Sequence, residues 1–259
     1  MSDTPVFLIT GASSGIGQAL AARFYSAGYR LALVARRVAE VQAWAESQRF
    51  APSRFAVYAA DVRELAAITG AGRACIAALG VPDVVIASAG ISVGMDTAEF
   101  ADLEVMRAVF ETNTLGTAAT FQPFVAAMCE RGSGALVGIA SVAAIRGLPG
   151  HGAYCASKAG VVAYCESLRG ELRSSGVKVV TIVPGYIDTP LTRKNPYGMP
   201  FLMPADAFAH RAFEAISAGA SYRVIPWQMG VVAKLLRLLP NPLFDKLLAG
   251  RARKPRRST

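Results

Sequence analysis

Tyr154 and Lys158 stand four positions apart in the run Tyr154-Cys155-Ala156-Ser157-Lys158. On a helix this spacing puts both side chains on one face, one turn apart. A free phenol titrates near about 10. A neighbouring ammonium favours the phenolate and lowers that value, so the pair can give or take a proton near neutral pH. The same spacing also decorates the surface of many ordinary helices, and two further residues set this one apart. Ser141 lies thirteen positions before Tyr154, just after the apolar run Ala135–Ala140. A hydroxyl there can hold a carbonyl oxygen beside the phenol. Asn113, within Glu111-Thr112-Asn113-Thr114, is polar in a helical stretch that would otherwise be buried. It can order a water beside Lys158. The plainer alternative is a hydrogen bond to its own helix backbone, which bends the helix.

A second constellation lies near the amino terminus. Thr10-Gly11-Ala12-Ser13-Ser14-Gly15-Ile16-Gly17 follows one apolar run, Val6–Thr10, and opens a helical stretch, Gln18–Ala27, that Gly28 can close. Glycines permit the tight turn and let backbone approach a pyrophosphate. The free N–H groups at a helix start favour its negative charge. The next apolar run, Leu31–Ala35, ends in Arg36-Arg37. An acid at that strand end would accept from the ribose 2′-hydroxyl of NAD. Ala35 cannot, whereas two guanidiniums suit the 2′-phosphate of NADP(H), with Ser14 adding a hydroxyl. Asp61-Val62, after a later run, is placed to contact adenine, although a lone loop Asp is more often a cap or turn former.

These residues need a scaffold, and the rest of the chain describes one. Further apolar runs rich in β-branched residues occur at Arg54–Ala59, Val84–Ala87, Val177–Val183 and Tyr222–Ile225, with helical segments between them. Uniformly apolar strands suit burial on both faces. Strands separated by helices imply right-handed crossovers. The expected fold is α/β: a Rossmann-type, doubly wound parallel sheet with helices on both faces. It should form a single domain over 1–226, followed by a helical basic extension over 227–259.

Composition narrows the function classes. The 259 residues are 53% hydrophobic and 17% charged, which predicts a folded chain. The formal charge of +9 is uneven: from Met229 onward eight bases face Asp245 alone, and the body is near neutral. A basic tail on a neutral body does not make a nucleic-acid-binding domain. Four cysteines without CxxC spacing and two distant histidines, His151 and His210, offer no metal site. No apolar run is long enough to span a bilayer. The segment Val6–Ile9 is too short, and Met1–Pro5 too poor in bases, for a secretory signal. A cytoplasmic protein is expected.

Taken together, Thr10–Gly17, Asp61, Ala89-Gly90, Asn113, Ser141, Tyr154, Lys158 and Pro184-Gly185 with Thr189 resemble the short-chain dehydrogenase/reductase family over about residues 5–226. The resemblance implies an oxidoreductase that moves a hydride between NADP(H) and a ketone or aldehyde. It implies that Tyr154 is the acid/base, that Lys158 lowers its pKa and bonds the nicotinamide ribose, that Ser141 orients substrate and that Asn113 supports a proton relay. By the same resemblance, Ala89 and Gly90 border the cofactor, and Pro184, Gly185, Ile187 and Thr189 hold the nicotinamide carboxamide. One stretch departs: the family's Asn-Asn-Ala-Gly reads Ala87-Ser88-Ala89-Gly90, and Ser88 is shorter than Asn.

Candidate substrate residues are Ile145, Leu148, His151, Leu191, Tyr197, Met199, Phe201 and Leu202. Most are apolar, which suits a lipid-like, steroid-like or acyl carbonyl. His151 reads as a loop residue, not a catalyst. The tail carries apolar residues with bases between them, broken at Pro240-Asn241-Pro242. It can pack on the body, join subunits of a homodimer or homotetramer, or lie on the inner face of an anionic membrane. Two other functions compete with the enzyme: a dinucleotide sensor or scaffold without chemistry, and a membrane-associated interaction protein working through 229–259.

Overall fold

A computed structural model describes residues 4–250 and 252–256 of the chain. Arg251 and Arg257, which contribute to the basic tail, lie outside the described residues, as does Met1–Asp3 of the amino-terminal segment. In order along the chain run β1 (Val6–Thr10), α1 (Gly15–Ser26), β2 (Arg30–Ala35), α2 (Val38–Ser47), β3 (Phe55–Ala59) and α3 (Leu65–Leu79). Then follow β4 (Val84–Ala87), α4 (Asp102–Phe110), α5 (Gly116–Arg131), β5 (Gly134–Ile139), α6 (Gly152–Glu171) and β6 (Val177–Pro184). The chain continues through β7 (Ile187–Asp188), β8 (Met203–Pro204), α7 (Ala205–Ser217), β9 (Tyr222–Ile225), α8 (Trp227–Leu238) and α9 (Asn241–Leu248).

Among the described residues, seven strands form one sheet in the order β3-β2-β1-β4-β5-β6-β9, and every pairing is parallel. β7 and β8 make a separate two-stranded pair. The apolar strands explain the layering. All five residues of β1 are buried. Phe7 and Ile9 point into one layer, where they meet Phe24 of α1 and Phe208 of α7; Leu8 points into the other, with Phe121 and Phe124 of α5 and Val161 of α6. Period-two alternation of a strand buried on both faces requires this division. The chain reverses its direction of travel across the sheet between β1 and β4. In open parallel sheets, ligands bind beyond the carboxyl ends of the strands at such a switch point.

Most expected elements stand within a residue or two of their places, and the exceptions have reasons. α1 begins at Gly15, not Gln18, so the glycine turn runs straight into the helix. Arg54 belongs to a short 3₁₀ turn with Pro52 at its start, and β3 begins at Phe55. Gly28 closes α1 with φ +95°, as a residue just past a helix end can.

Candidate active site

The glycine turn is fixed from behind by β4. Thr10 Oγ1 accepts from the backbone N–H groups of Ser88 and Ala89, each at 3.2 Å. These bonds use the backbone of the Ser88-Ala89 stretch and so do not depend on the Ser88 side chain. Gly11 has φ +73°, and a Cβ on it would come within 2.9 Å of Ala89 backbone. A Cβ on Gly17 would run into the Gly11 carbonyl. These two positions need glycine because turn, helix and the loop after β4 meet without space for a side chain. Ser14 occupies the N-cap position of α1, but its side chain makes no cap bond. The first-turn N–H groups thus stay available for an anion.

The arginines lie close by. Arg37 donates to Ser13 Oγ at 3.1 Å and pairs with Glu40 at 3.2 Å. Arg36 lies 3.6 Å from the Asp61 carboxylate, which Arg63 also holds at 2.7 Å. The hydrogen bond from Arg63 keeps the Asp61 carboxyl below its usual range, outweighing burial. Asp61 is therefore engaged with two guanidiniums, and the acid acts on Arg36 as much as on any ligand. The donor set fits a phosphorylated dinucleotide: bare helix-start N–H groups, serine hydroxyls and two largely exposed guanidiniums free to turn inward.

At the other end of the cleft, α6 presents Tyr154 and Lys158 as its spacing requires. Ser141, just past β5, caps a 3₁₀ turn over Val142–Ala144, its Oγ accepting from Ala143 N–H at 3.2 Å. Burial pushes the Tyr154 phenol above its ordinary value, and a hydrogen bond with Ser141 opposes it. Lys158 is 5% exposed and donates to the Ile139 carbonyl at 2.7 Å. Burial lowers its pKa to about 8. Burial is the larger influence on Tyr154 here, and Lys158 is not among the groups that shift it.

Asn113 sits in a π turn, Glu111–Leu115, between α4 and α5 and is wholly buried. Its Oδ1 accepts from Ile91 N–H at 2.8 Å, and its Nδ2 donates to Ile91 O at 3.0 Å and Ser157 Oγ at 2.9 Å. Both amide hydrogens are engaged, so the side chain ties the loop after β4 to α6. The helix-bending bonds expected of it are made by its neighbours: Thr112 donates to Ala108 O and Thr117 to Asn113 O, each at 2.8 Å. A Cβ on Gly90 would lie 3.2 Å from Asn113 Oδ1 and 3.4 Å from Lys158 Nζ. That glycine lets the loop, Asn113 and Lys158 converge.

One cleft of about 480 Å³ is lined by every expected cofactor residue, from Gly11 to Thr189, and reaches Ser141, Tyr154 and Lys158. A smaller pocket of about 130 Å³ opens beside Ser141 and Tyr154. The larger volume suits an extended dinucleotide and the smaller one an acceptor. Leu148, His151, Leu191 and Tyr197 line the small pocket as expected. Ile145, Met199, Phe201 and Leu202 do not. Phe201 is half-exposed at φ +56° in a turn, and Leu202 also faces solvent. Met199 stands behind the wall, where its Sδ accepts from Asn195 at 3.6 Å. His151 is structural: its ring bridges Pro149 O and the Tyr197 hydroxyl, each at 3.1 Å, and burial lowers its pKa.

Several lining residues had no signal of their own in the sequence. Met229, Val232, Ala233 and Leu236 come from α8, and Asn195 from the segment after β7. Asn195 Oδ1 is buried without a donor among the described residues. α8 is held by Arg146, whose guanidinium donates to the carbonyls of Leu236 and Leu239 and to Asn241 Oδ1, and stacks on Phe244 of α9 at 3.7 Å. A cation at the carbonyl end of a helix is favoured by the helix dipole.

The family model for short chain dehydrogenase matches residues 5–198. An uncharacterized oxidoreductase of Myxococcus xanthus is 39% identical over 238 residues, covering 92% of this chain and 94% of the relative. Among solved structures, an alcohol dehydrogenase of Thermococcus sibiricus complexed with 5-hydroxy-NADP superposes with TM-score 0.77 at 25% identity, over 86% of this chain and 96% of that one. A 3-ketoacyl-(acyl-carrier-protein) reductase of Brucella melitensis complexed with NADH gives 0.77 at 26% identity, over 85% and 96%.

Proposed function

The chain belongs to the short-chain dehydrogenase/reductase family and is a dinucleotide-dependent oxidoreductase acting on CH–OH or C=O groups, and on that premise we propose that it reduces a hydrophobic ketone or aldehyde with NADPH. The observation that carries this reading is the meeting of Ser141, Tyr154 and Lys158 where the long cleft joins the small apolar pocket. A bound NADPH would supply the hydride. Ser141 would hold the carbonyl oxygen against the Tyr154 hydroxyl. Tyr154, whose buried phenol keeps its proton, would give that proton to the oxygen as charge develops there. Lys158 has donors left beyond its bond to Ile139 O, and these would fix the nicotinamide ribose. Asn113 would hold the loop and helix that position Lys158. Leu148, Leu191, Val232 and Leu236 favour an apolar acceptor. NADPH consumption should appear when the protein meets one of a panel of steroids, acyl ketones, retinoids and small diketones. NADPH binding without consumption on any member would support the silent sensor instead.

A second observation favours contact with an anionic membrane. Trp227, Val231, Leu235 and Leu238 of α8 and Leu243 and Leu247 of α9 are exposed, with Lys234, Arg237 and Lys246 beside them. None of the helices among the described residues is long and apolar enough to cross a membrane, so the contact would be peripheral. Vesicles containing phosphatidylserine should sediment the protein, neutral phosphatidylcholine vesicles much less, and L235D/L238D should abolish the effect. A protein that stays in solution with both vesicle types would end the membrane reading. A halving of particle mass in L235D/L238D would show that the face joins two subunits.

A further inference from the structure

Residues 252–256 return to the loop after β4, beside the small pocket. Gly94 N–H donates to Pro255 O at 3.1 Å, and Gly94 and Arg256 form a parallel bridge. Arg256 donates to the buried Asp102 carboxylate at 2.7 Å and approaches Glu99 at 3.7 Å. Arg253 lies 3.9 Å from Asp96 and packs on Gly150. A Cβ on Gly94 would strike the Lys254 carbonyl, so the strap lies flush on the loop. Three acids that flank the strap are thereby committed to its arginines. Between those arginines, Lys254 lines the pocket together with Ser141, Tyr154 and His151.

Lys254 has no hydrogen-bond or ion-pair partner among the described residues. It is partly buried, and burial lowers its pKa. Its charge reaches His151, whose pKa it helps to depress. The remaining polar groups of the pocket are not anions: Tyr197 is bonded to His151, Arg146 is engaged with α8, and Asn195 is neutral. An ammonium withdrawn from water without a counter-ion is costly unless a ligand supplies one.

We propose that the C-terminal strap delivers Lys254 to the substrate pocket to bind an anionic group, a carboxylate or a phosphate, on the molecule whose carbonyl meets Ser141 and Tyr154. The substrate is then amphipathic, with an apolar body along Leu148, Val232 and Leu236 and one negative end. This rests on the carbonyl-reductase reading, and binding tests it separately from turnover.

Calorimetry on the NADPH-loaded protein with octanoate, octyl phosphate and 1-octanol reads the site directly. At least one anion should bind roughly tenfold tighter than the alcohol, the size expected of one charge-assisted contact. Which anion binds better identifies the headgroup. Lys254→Gln should remove that margin and Lys254→Arg should keep most of it. Gly94→Ala, which displaces the strap without touching the ammonium, should act like Lys254→Gln. Equal binding of anions and alcohol, or a margin that survives Lys254→Gln, would overturn the proposal. A margin that depends on Lys254 in a protein that reduces no carbonyl would sustain the anion site while refuting the reductase.

Discussion

Tyr154→Phe should lower kcat by roughly a thousandfold, the effect of removing a positioned general acid, while NADPH still binds. The substitution deletes one oxygen and leaves the ring in place. Its hydroxyl stands close enough to Ser141 to feel it, at the meeting of cleft and pocket. The dinucleotide would remain held by the glycine turn, the arginines and Lys158, none of which depends on that oxygen. Stopped turnover measured beside fluorescence titration of NADPH separates the two. Full turnover by Tyr154→Phe would remove the phenol from the mechanism. Loss of NADPH binding would mean that the hydroxyl organises the cleft and is not only a proton donor.

The second large effect is on cofactor choice. In R36A/R37A, kcat/KM with NADPH should fall roughly a hundredfold, with a much smaller change for NADH. Each charge-assisted bond to a 2′-phosphate is worth about 1.5–3 kcal/mol, and solvent screening at these exposed guanidiniums pulls the sum toward the lower end. Arg37 is already turned toward the glycine turn through Ser13, and Arg36 is held near Asp61. Neither must travel far to meet a phosphate. Glu40 and Asp61 pair with Arg37 and Arg36 and partly neutralise them, which should moderate the size of the effect. An NADH preference in the wild-type protein, or an NADPH preference that survives in R36A/R37A, would refute the assignment. Raising the salt concentration should narrow the wild-type preference, because exposed charges are screened first.

Much of the cleft was legible in the sequence because its signals are local. A glycine turn between strand and helix, an arginine pair at a strand end and a tyrosine four residues before a lysine are each defined within a few positions. Their joint placement followed from topology, because parallel strands bring all their carboxyl ends to one edge. The substrate pocket was read less well. Met199, Phe201 and Leu202 are as apolar as Leu191 and Tyr197, but the turn at Phe201 points them elsewhere. Spacing places Lys158 one turn from Tyr154, but only the fold shows its ammonium directed at Ile139 O in a buried setting. Asn113 looked like a water ligand or a bent-helix residue, yet its partners, Ile91 and Ser157, are 22 and 44 residues away.

By itself the sequence determined the doubly wound sheet, the order of its layers and the residues along the dinucleotide cleft. Hydrophobic period, turn glycines and strand-end charges act over short stretches of chain and survive any arrangement of the loops. Tertiary structure alone decided what lines the small pocket beside Ser141 and Tyr154. The pocket wall is assembled from α8, the segment after β7 and the strap at Lys254, with Arg146 bonded to the end of α8 and Asp102 receiving Arg256. Those contacts join residues 93 and 154 positions apart. No local pattern encodes pairings over such distances, and they are the ones that shape the small pocket.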